Sequence, residues 1–256
     1  MLRFLFWLGL ALALAGLVWA LMPTPGVDTS YAPRLRHPHF GRRGPVVLID
    51  EAHGNTHTAP GLYGPLARLL GAAGYRVQRN RQPFLAASLE TCSVLILANP
   101  SGFDAGELDA VRIWVRDGGG LLLIADRAPA IEPARLFARA FGVDISRSVL
   151  TPATGAAEPS GLLHPIRSGR LDFDETTQLL LLAPGPTLLP LDSSAREVIP
   201  SRAAAIESGR GRVVVLTDAD ALAARLIAGK PYGINTPNAD NDQLALNILL
   251  WLSKRI

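Results

Sequence analysis

The length, composition and charge of the chain already exclude several classes of protein. The chain has 256 residues, a hydrophobic fraction of 48%, a charged fraction of 18% and a net charge of +3. A chain of this size and composition can bury a core large enough for a stable domain. Its basic residues are scattered and are not interleaved with aromatic residues, which argues against nucleic-acid binding. Because Cys92 is the single cysteine, an intrachain disulfide and a zinc site of several thiolates are excluded.

The N-terminus carries a long apolar segment. Residues 4–22 form an uninterrupted run of 19 residues without charge, directly after Arg3. A membrane-spanning helix needs roughly 17–25 residues, whereas the apolar core of a signal peptide has about 7–15. The sequence therefore predicts an uncleaved transmembrane signal anchor over residues 1–22. Cleavage after Val18-Trp19-Ala20 is the alternative.

The charges around this segment predict how the protein lies in the membrane. Arg3 and the amino terminus favour a cytoplasmic N-terminus, and long following domains are translocated largely regardless of their charge. Residues 23–44 are rich in proline and arginine and poor in apolar residues, which predicts an extended tether. We therefore expect a single-pass protein of the cell membrane whose domain, residues 45–256, is extracytoplasmic.

From residue 45 onward, patterns typical of strands and helices alternate. Continuous apolar runs at residues 45–50, 94–98 and 121–125 predict buried strands, with a shorter strand at 75–78. Helical spacing predicts helices over 61–73 and 104–117, and Asp104 with Glu107 resembles a capping box at the start of the second.

The second half of the chain is less regular. Short strands are predicted at residues 177–183 and 187–191, a hairpin over 203–217, and helices over 219–228 and 241–254. Strand–helix alternation with wholly apolar strands is typical of a three-layer, doubly wound α/β fold with a mostly parallel sheet. We find no repeats and no second domain boundary.

Polar residues follow several of the predicted strands. In open α/β sheets, ligands bind beyond the carboxyl ends of the strands, near the point where the strand order reverses. We therefore predict ligand-binding residues at this edge: Asp50, Glu51, His53, Asn99, Asp126, Asp218, Asp220 and, at the start of the last helix, Asn241. The alternative, favoured for Asp220 and for Asp240 or Asn241, is that these residues are helix N-caps. His53, His57 and His164 could likewise be solvated loop residues.

Familiar catalytic and cofactor motifs are missing. The sequence has no GxSxG nucleophile motif, no GxxxxGK[ST] phosphate loop, no GxGxxG after the first strand and no HExxH zinc motif. The Gly118-Gly119-Gly120 run precedes a strand instead of following one, so it is not a phosphate cradle. The sequence therefore predicts no cofactor and no metal site. The alternative, at the acid-rich strand ends, is a weak metal site with oxygen ligands.

Three motifs carry a family resemblance. They are Val47-Leu48-Ile49-Asp50-Glu51-Ala52-His53-Gly54-Asn55, the segment 211–220 ending in Asp218-Ala219-Asp220, and the segment 238–252 with its Asn-Ile-Leu-Leu-Trp-Leu ending. Together they resemble a bacterial and archaeal family of unknown function with a class I glutamine amidotransferase-like domain, whose members are often membrane-anchored and encoded near MoxR-type ATPases. Similar endings occur in gliding-motility and intraflagellar-transport relatives.

The resemblance has implications for the fold and for one further residue. It implies a flavodoxin-like sheet, and His164-Pro165-Ile166 looks like the His-Pro turn of trehalose-utilisation relatives, which makes His164 a candidate ligand-binding residue. It does not imply amidotransferase activity. True amidotransferases have a cysteine nucleophile at the turn after a central strand, and the corresponding turn here, Ala125-Asp126-Arg127, has none. Cys92 precedes its strand and lacks a neighbouring base.

Three functional hypotheses remain. The first is a membrane-anchored domain that binds a ligand or an envelope protein partner without catalysis. The second is a hydrolase of glycans or peptides that uses the strand-end carboxylates and a histidine as acid and base. The third is a structural subunit of an envelope complex, which should expose an apolar patch. The missing nucleophile favours the first hypothesis.

Overall fold

The computed structural model describes residue 7 and residues 26–41, 43–126, 130–150, 153–156, 170–173, 176–181, 193–199 and 202–256. The apolar segment, apart from Trp7, lies outside these residues, as do His164 and the strand predicted over 187–191. In the described part of the chain, every helix is too short or too polar to cross a membrane.

A seven-stranded sheet forms the centre of the fold, in the order β2-β1-β3-β4-β11-β10-β9. All neighbouring strands from β2 to β11 in this order are parallel, and β10 pairs antiparallel with both of its neighbours. Every residue of β1, β3 and β4 is buried, as their continuous apolar runs predicted. The strands are β1 (Val46–Asp50), β2 (Arg76–Asn80), β3 (Val94–Ala98), β4 (Gly120–Ile124), β9 (Ser193–Ile199), β10 (Ala203–Ser208) and β11 (Gly211–Leu216).

Helices cover both faces of this sheet, so the predicted three-layer α/β architecture is confirmed. The helices are α1 (Gly64–Ala72), α2 (Ala86–Leu89), α3 (Ala105–Arg116), α4 (Ile131–Ala140) and α5 (Asn241–Leu252). Helices α1 and α5 pack in one core with Val47 and Ile49, whereas α3 and α4 pack in the other with Leu95 and Leu97. Alternate strand residues therefore point to opposite cores. Helix α4 was not predicted.

The order of the strands reverses beside β1. From β1 the chain moves to β2 on one side and then to β3 on the other. Such a reversal opens a crevice beyond the carboxyl ends of the two inner strands, here β1 and β3. Since β4 and β11 run in the same direction, their carboxyl ends lie at this edge as well.

Three two-stranded pairs lie outside the central sheet. They are β5 (Val143–Leu150) with β8 (Thr176–Leu181), β6 (Ala153–Ala156) with β7 (Arg170–Phe173), and β12 (Ala224–Ile227) with β13 (Lys230–Gly233).

The β12–β13 hairpin corrects one prediction. The helix predicted over residues 219–228 is wrong, because the chain forms one 3-10 turn, Asp220–Leu222, and then enters β12. Ala228 and Gly229 have φ angles of 49° and 77°, as a two-residue hairpin turn requires. Helix propensity is a weak preference, and here pairing with β13 overrides it.

Residues 26–41, which composition assigned to the tether, contact the domain. The Leu226 N–H donates to the Gly26 carbonyl at 2.7 Å, and the Phe40 N–H donates to the Ala73 carbonyl at 3.1 Å. The Phe40 side chain is only 7% exposed and joins the core of α1 and α5. A Cβ at Gly74, whose φ is +95°, would lie 2.2 Å from the Phe40 carbonyl oxygen, so glycine is needed for this approach. The domain boundary at residue 45 stays a prediction.

Candidate functional site

The strand-end residues singled out in the sequence share one edge of the sheet. Asp50 is the last residue of β1, and Asn99 directly follows β3. Asp126 and Asp218 each lie two residues beyond the end of their strands, β4 and β11. All four side chains are buried, with at most 5% exposed. His164 lies outside the described residues.

The first group at this edge, which we call the Asp50 cluster, comprises Asp50, His53, Asn80 and Glu107. His53 Nδ1 lies 2.8 Å from Asp50 Oδ2, and His53 Nε2 lies 2.8 Å from Glu107 Oε1. Asn80 Nδ2 donates to Asp50 Oδ1 at 2.8 Å. Because both ring nitrogens of His53 face carboxylate oxygens, both can donate only when the ring is protonated.

The surroundings of His53 determine its charge. Burial alone lowers the pKa of His53, but the hydrogen bonds and negative charges of Asp50 and then Glu107 outweigh burial and raise the pKa above 6.5. The His53 ring also lies against the Phe84 ring, with 4.3 Å between centroids. The His53 ring thus lies between two carboxylates, which favour its protonated form, and an aromatic ring.

Glu107 has two structural roles at once. Its Oε2 accepts from the Asp104 N–H at 2.9 Å, while the Glu107 N–H donates to Asp104 Oδ1 at 2.8 Å, which confirms the predicted capping box of α3. Its Oε1 accepts from the Phe84 N–H at 3.0 Å as well as contacting His53. One carboxylate therefore ties the start of α3 to the loop after β1.

The second group, the Asp220 cluster, comprises Thr56, His57, Asn99, Asp126, Asp220 and Arg225. His57 Nε2 lies 2.9 Å from Asp220 Oδ1, and His57 Nδ1 lies 2.9 Å from Thr56 Oγ1. Arg225 forms an ion pair with the other oxygen of Asp220. Burial by itself raises the pKa of Asp220, but His57 and Arg225 outweigh it and lower the pKa.

Asn99 joins two strand ends within the Asp220 cluster. Its Nδ2 donates to Asp126 Oδ1 at 2.9 Å, and the Asp126 N–H donates to Asn99 Oδ1 at 3.1 Å. Asp126 Oδ2 accepts from the Ala219 N–H at 3.2 Å. The carboxyl ends of β3, β4 and β11 are thereby cross-linked by side chains.

Tyr63 packs beside the Asp220 cluster, with its ring 4.9 Å from the His57 ring. It is fully buried, and its hydroxyl donates to the Ala219 carbonyl at 3.2 Å. Burial and then the charges of Asp126, Asp220 and Asp218 raise the pKa of Tyr63 well above 10.0. The tyrosine is therefore a neutral hydrogen-bond donor that supports the turn after β11.

The remaining predicted residues have more local partners. Asp218 Oδ1 accepts from the Ala221 N–H at 2.9 Å and Oδ2 accepts from the Tyr232 hydroxyl at 2.7 Å. Asp220 is the first residue of the 3-10 turn and not its N-cap, which is Ala219. Asn241 Nδ2 donates to the Ala221 carbonyl at 3.1 Å. The Asp240 side chain makes no N-cap hydrogen bond to α5.

Glu51 lies apart from both clusters. The single N–H of Arg79 Nε is shared between the two oxygens of the Glu51 carboxylate, with Nε 2.8 Å from each, and the Ala59 N–H donates to Oε1 at 3.1 Å. Burial raises the pKa of Glu51, but Arg79, Ala59 and Arg81 outweigh it and lower the pKa. Glu51 therefore anchors the loop after β1 to β2 and does not join the histidines.

These contacts limit what the edge can do chemically. Among the described residues, the histidines, cysteine and acids form no group of three arranged to hold a metal ion. Two cavities, of about 770 and 350 Å³, are lined by residues outside the Asp50 and Asp220 clusters. Asn247 and Arg255 line the larger one, and Asp28 and Asn235 line the smaller one. The side chains of the Asp50 and Asp220 clusters at this edge are mostly buried and hydrogen-bonded to one another.

Sequence reasoning missed several partners in these clusters. Asn80 ends β2 and could have been found by the same strand-end rule that selected Asp50. Glu107 was interpreted only as a capping residue, and His57 was set aside as a loop histidine. Arg225 and Tyr232 lie on the β12–β13 hairpin, which was predicted as a helix in part, so no sequence signal placed them here.

Solved structures with similar folds support the architecture. The mmIFT52 N-terminal domain has a TM-score of 0.63 at 12% identity, over 81% of this chain and 97% of that chain. A ThuA-like protein from Parabacteroides merdae has a TM-score of 0.54 at 11% identity, over 83% and 91%. A cytoplasmic protein from Salmonella typhimurium has a TM-score of 0.53 at 14% identity, over 81% and 98%. At these identities the likeness concerns the fold alone, and it agrees with the predicted mostly parallel α/β architecture.

Comparison with sequences gives the family. No curated protein matches the chain. A family model described as a domain of unknown function, DUF4350, matches residues 56–228, which contain the whole Asp220 cluster but not Asp50 or His53. Because this match covers more than half of the chain, the chain belongs to the DUF4350 family.

Proposed function

We propose that the chain is a membrane-tethered, extracytoplasmic domain that binds a ligand or an envelope protein partner without catalysing a reaction. Residues 1–22 are the anchor in this proposal, as their uncharged run of apolar residues suggests. The folded domain then presents the edge that carries the Asp50 and Asp220 clusters.

The observation that carries this proposal is the pairing of the strand-end groups with one another. A general acid or base must reach the proton of a substrate, directly or through one water. In the Asp50 cluster, however, both ring nitrogens of His53 are engaged by Asp50 and Glu107, and His53 is only 8% exposed. A histidine held in this way stabilises the loop after β1 and has no free nitrogen for catalysis.

The single cysteine supports the same conclusion. Cys92 lies before β3, at the amino end of the sheet and away from both clusters. Its side chain is buried, and burial raises the pKa of its thiol to about 12. Since a thiolate is the reactive form of cysteine, this residue cannot supply the nucleophile of an amidotransferase.

One contact favours hydrolase activity as the second candidate. Thr56, His57 and Asp220 form a chain of hydroxyl, imidazole and carboxylate, with 2.9 Å at each step. The same order of groups activates the hydroxyl in serine hydrolases. Here His57 is only 3% exposed, and its carboxylate partner is also paired with Arg225, which suits a structural role better.

The proposal can be tested with the full-length chain in native membranes. We expect it to resist an alkaline carbonate wash and to be digested by protease added outside intact spheroplasts. We also expect crosslinking of the wild type to give an envelope protein partner. Hydrolysis of an ester, peptide or glycoside by the purified full-length protein that disappears in Thr56→Ala, with Thr56→Ser as the matched control that retains it, would overturn the proposal.

A further inference from the structure

The β12–β13 hairpin exposes apolar side chains at its tip. Leu226 and Ile227 are 41% and 40% exposed, and they end β12 directly before the Ala228-Gly229 turn. Lys230, the first residue of β13, is also exposed. Two adjacent exposed aliphatic residues beside a lysine are a small amphipathic tip, of the kind that can enter the boundary between lipid headgroups and acyl chains.

The chain that comes from the N-terminus runs along this hairpin. Val27 and Arg225 form an antiparallel bridge, and the Leu226 N–H donates to the Gly26 carbonyl at 2.7 Å. In an antiparallel pair, a step from Val27 to Gly26 runs beside a step from Arg225 to Leu226. The path toward the N-terminus and the hairpin tip therefore point in the same direction.

The distance to the apolar segment is short. That segment ends at Met22, four residues before Gly26. At roughly 3.3–3.6 Å per residue, four residues reach at most about 14 Å. The headgroup layer on each side of a bilayer is about 5–8 Å thick. If residues 4–22 span the bilayer, the hairpin tip must lie at or near the membrane surface.

We propose that the β12–β13 hairpin docks on the lipid bilayer, with Leu226 and Ile227 at the headgroup–acyl boundary and Lys230 facing anionic headgroups. This inference rests on the anchor in the proposed function and names the surface that the anchored domain touches. Because Arg225 joins the hairpin to Asp220, docking holds the Asp220 cluster close to the membrane. A ligand or partner at this edge would then be bound beside the lipid.

Depth-dependent quenching tests the docking. The full-length protein, carrying Cys92→Ala and Lys230→Cys, is labelled with a polarity-sensitive fluorophore and reconstituted into phosphatidylcholine–phosphatidylglycerol liposomes, some with doxyl-labelled acyl chains. The matched control is Arg210→Cys, which replaces a cation in the turn between β10 and β11, at the amino end of β11. We expect doxyl lipids to quench the label at position 230 several-fold more than the label at position 210.

The outcomes separate this inference from the anchor. If the protein resists a carbonate wash but the two labels are quenched equally, the docking is wrong and the anchor stands. If the protein is washed off, the anchor itself is wrong. The label at position 230 could instead become shielded from water as the amount of protein per liposome rises, without quenching by doxyl lipids. This result would show that a second copy of the chain covers the hairpin, and it would overturn the docking. Adding Leu226→Ser and Ile227→Ser to Lys230→Cys should remove the quenching while the protein stays in the membrane.

Discussion

Asn99 and Asp126 hold each other through two reciprocal hydrogen bonds at the ends of adjacent strands. Asn99 also has a φ angle of 49°, in the left-handed region where asparagine is tolerated better than most residues. The position therefore combines a backbone requirement with a side-chain requirement. Both can be measured separately by substitution.

Replacing Asn99 with alanine should lower the free energy of unfolding by about 2–4 kcal/mol, because the Asp126 N–H loses its partner and alanine strains the left-handed backbone. Asn99→Gly removes the same hydrogen bonds but relieves the backbone, so its loss should be smaller. Urea unfolding of both variants gives the comparison. Equal losses would show that the backbone conformation contributes nothing.

The protonated state of His53 predicts a dependence of stability on pH. Burial lowers the pKa of His53, but Asp50 and Glu107 raise it overall above 6.5, the value expected when the chain is unfolded. A raised pKa in the folded state gives stability that is fully present below pH 6.5 and is lost as the pH rises through the folded pKa. The melting temperature of the wild type should therefore fall over this range.

The control for this prediction is His53→Gln, which cannot titrate. The difference in melting temperature between wild type and His53→Gln should shrink as the pH is raised from about 6 to 9. If the difference stays constant, folding does not raise the pKa of His53, and Asp50 and Glu107 do not favour its protonated form.

Much of the fold can be predicted from the sequence because its strands are short, continuous and buried on both faces. The runs that became β1, β3 and β4 have four or five consecutive apolar residues, which is typical of short strands buried on both faces of a sheet. The helix predicted over residues 219–228 was wrong because alanine and leucine favour a helix locally. The hairpin depends on pairing of β12 with β13, directly after the turn, and with Val27, which is far away in the chain.

The sequence predicted the location of the candidate site but not the contacts within it. Parallel strands bring Asp50, Asn99, Asp126 and Asp218 to one edge, and this follows from topology alone. The pairing of His53 with Glu107 spans 54 positions, and that of His57 with Asp220 spans 163. No local pattern encodes such distances, so the sequence indicated where the polar groups gather but not which of them pair.

Cys92 should be unreactive in the folded protein. Burial raises the pKa of its thiol to about 12, so almost no thiolate is present at neutral pH. We expect a thiol reagent to label the protein only in urea, where the core is open. Cys92→Ser should lower stability by about 1–3 kcal/mol, because a hydroxyl is placed in an apolar site, while Cys92→Ala should cost less. Rapid labelling of the native protein would contradict the buried position.

Phe40 offers the most direct test of whether the segment before β1 belongs to the folded domain. Its ring is 7% exposed, lies 4.7 Å from the Tyr75 ring and has the Arg255 guanidinium 5.0 Å from its centroid. Removal of a buried phenylalanine side chain costs about 3–5 kcal/mol. Phe40→Ala in the full-length protein should therefore unfold at clearly lower urea concentration than the wild type, and the exposed His37→Ala should not.

The same packing predicts how truncation acts. A chain that begins at Gly26 keeps the contacts of Gly26 with Leu226 and of Phe40 with the core, whereas one that begins at Gly44 loses both. We therefore expect the shorter chain to melt at a lower temperature and to be digested faster by protease. Equal melting temperatures for the two chains would show that residues 26–43 add nothing to stability and act as a tether, as their proline-rich composition predicts.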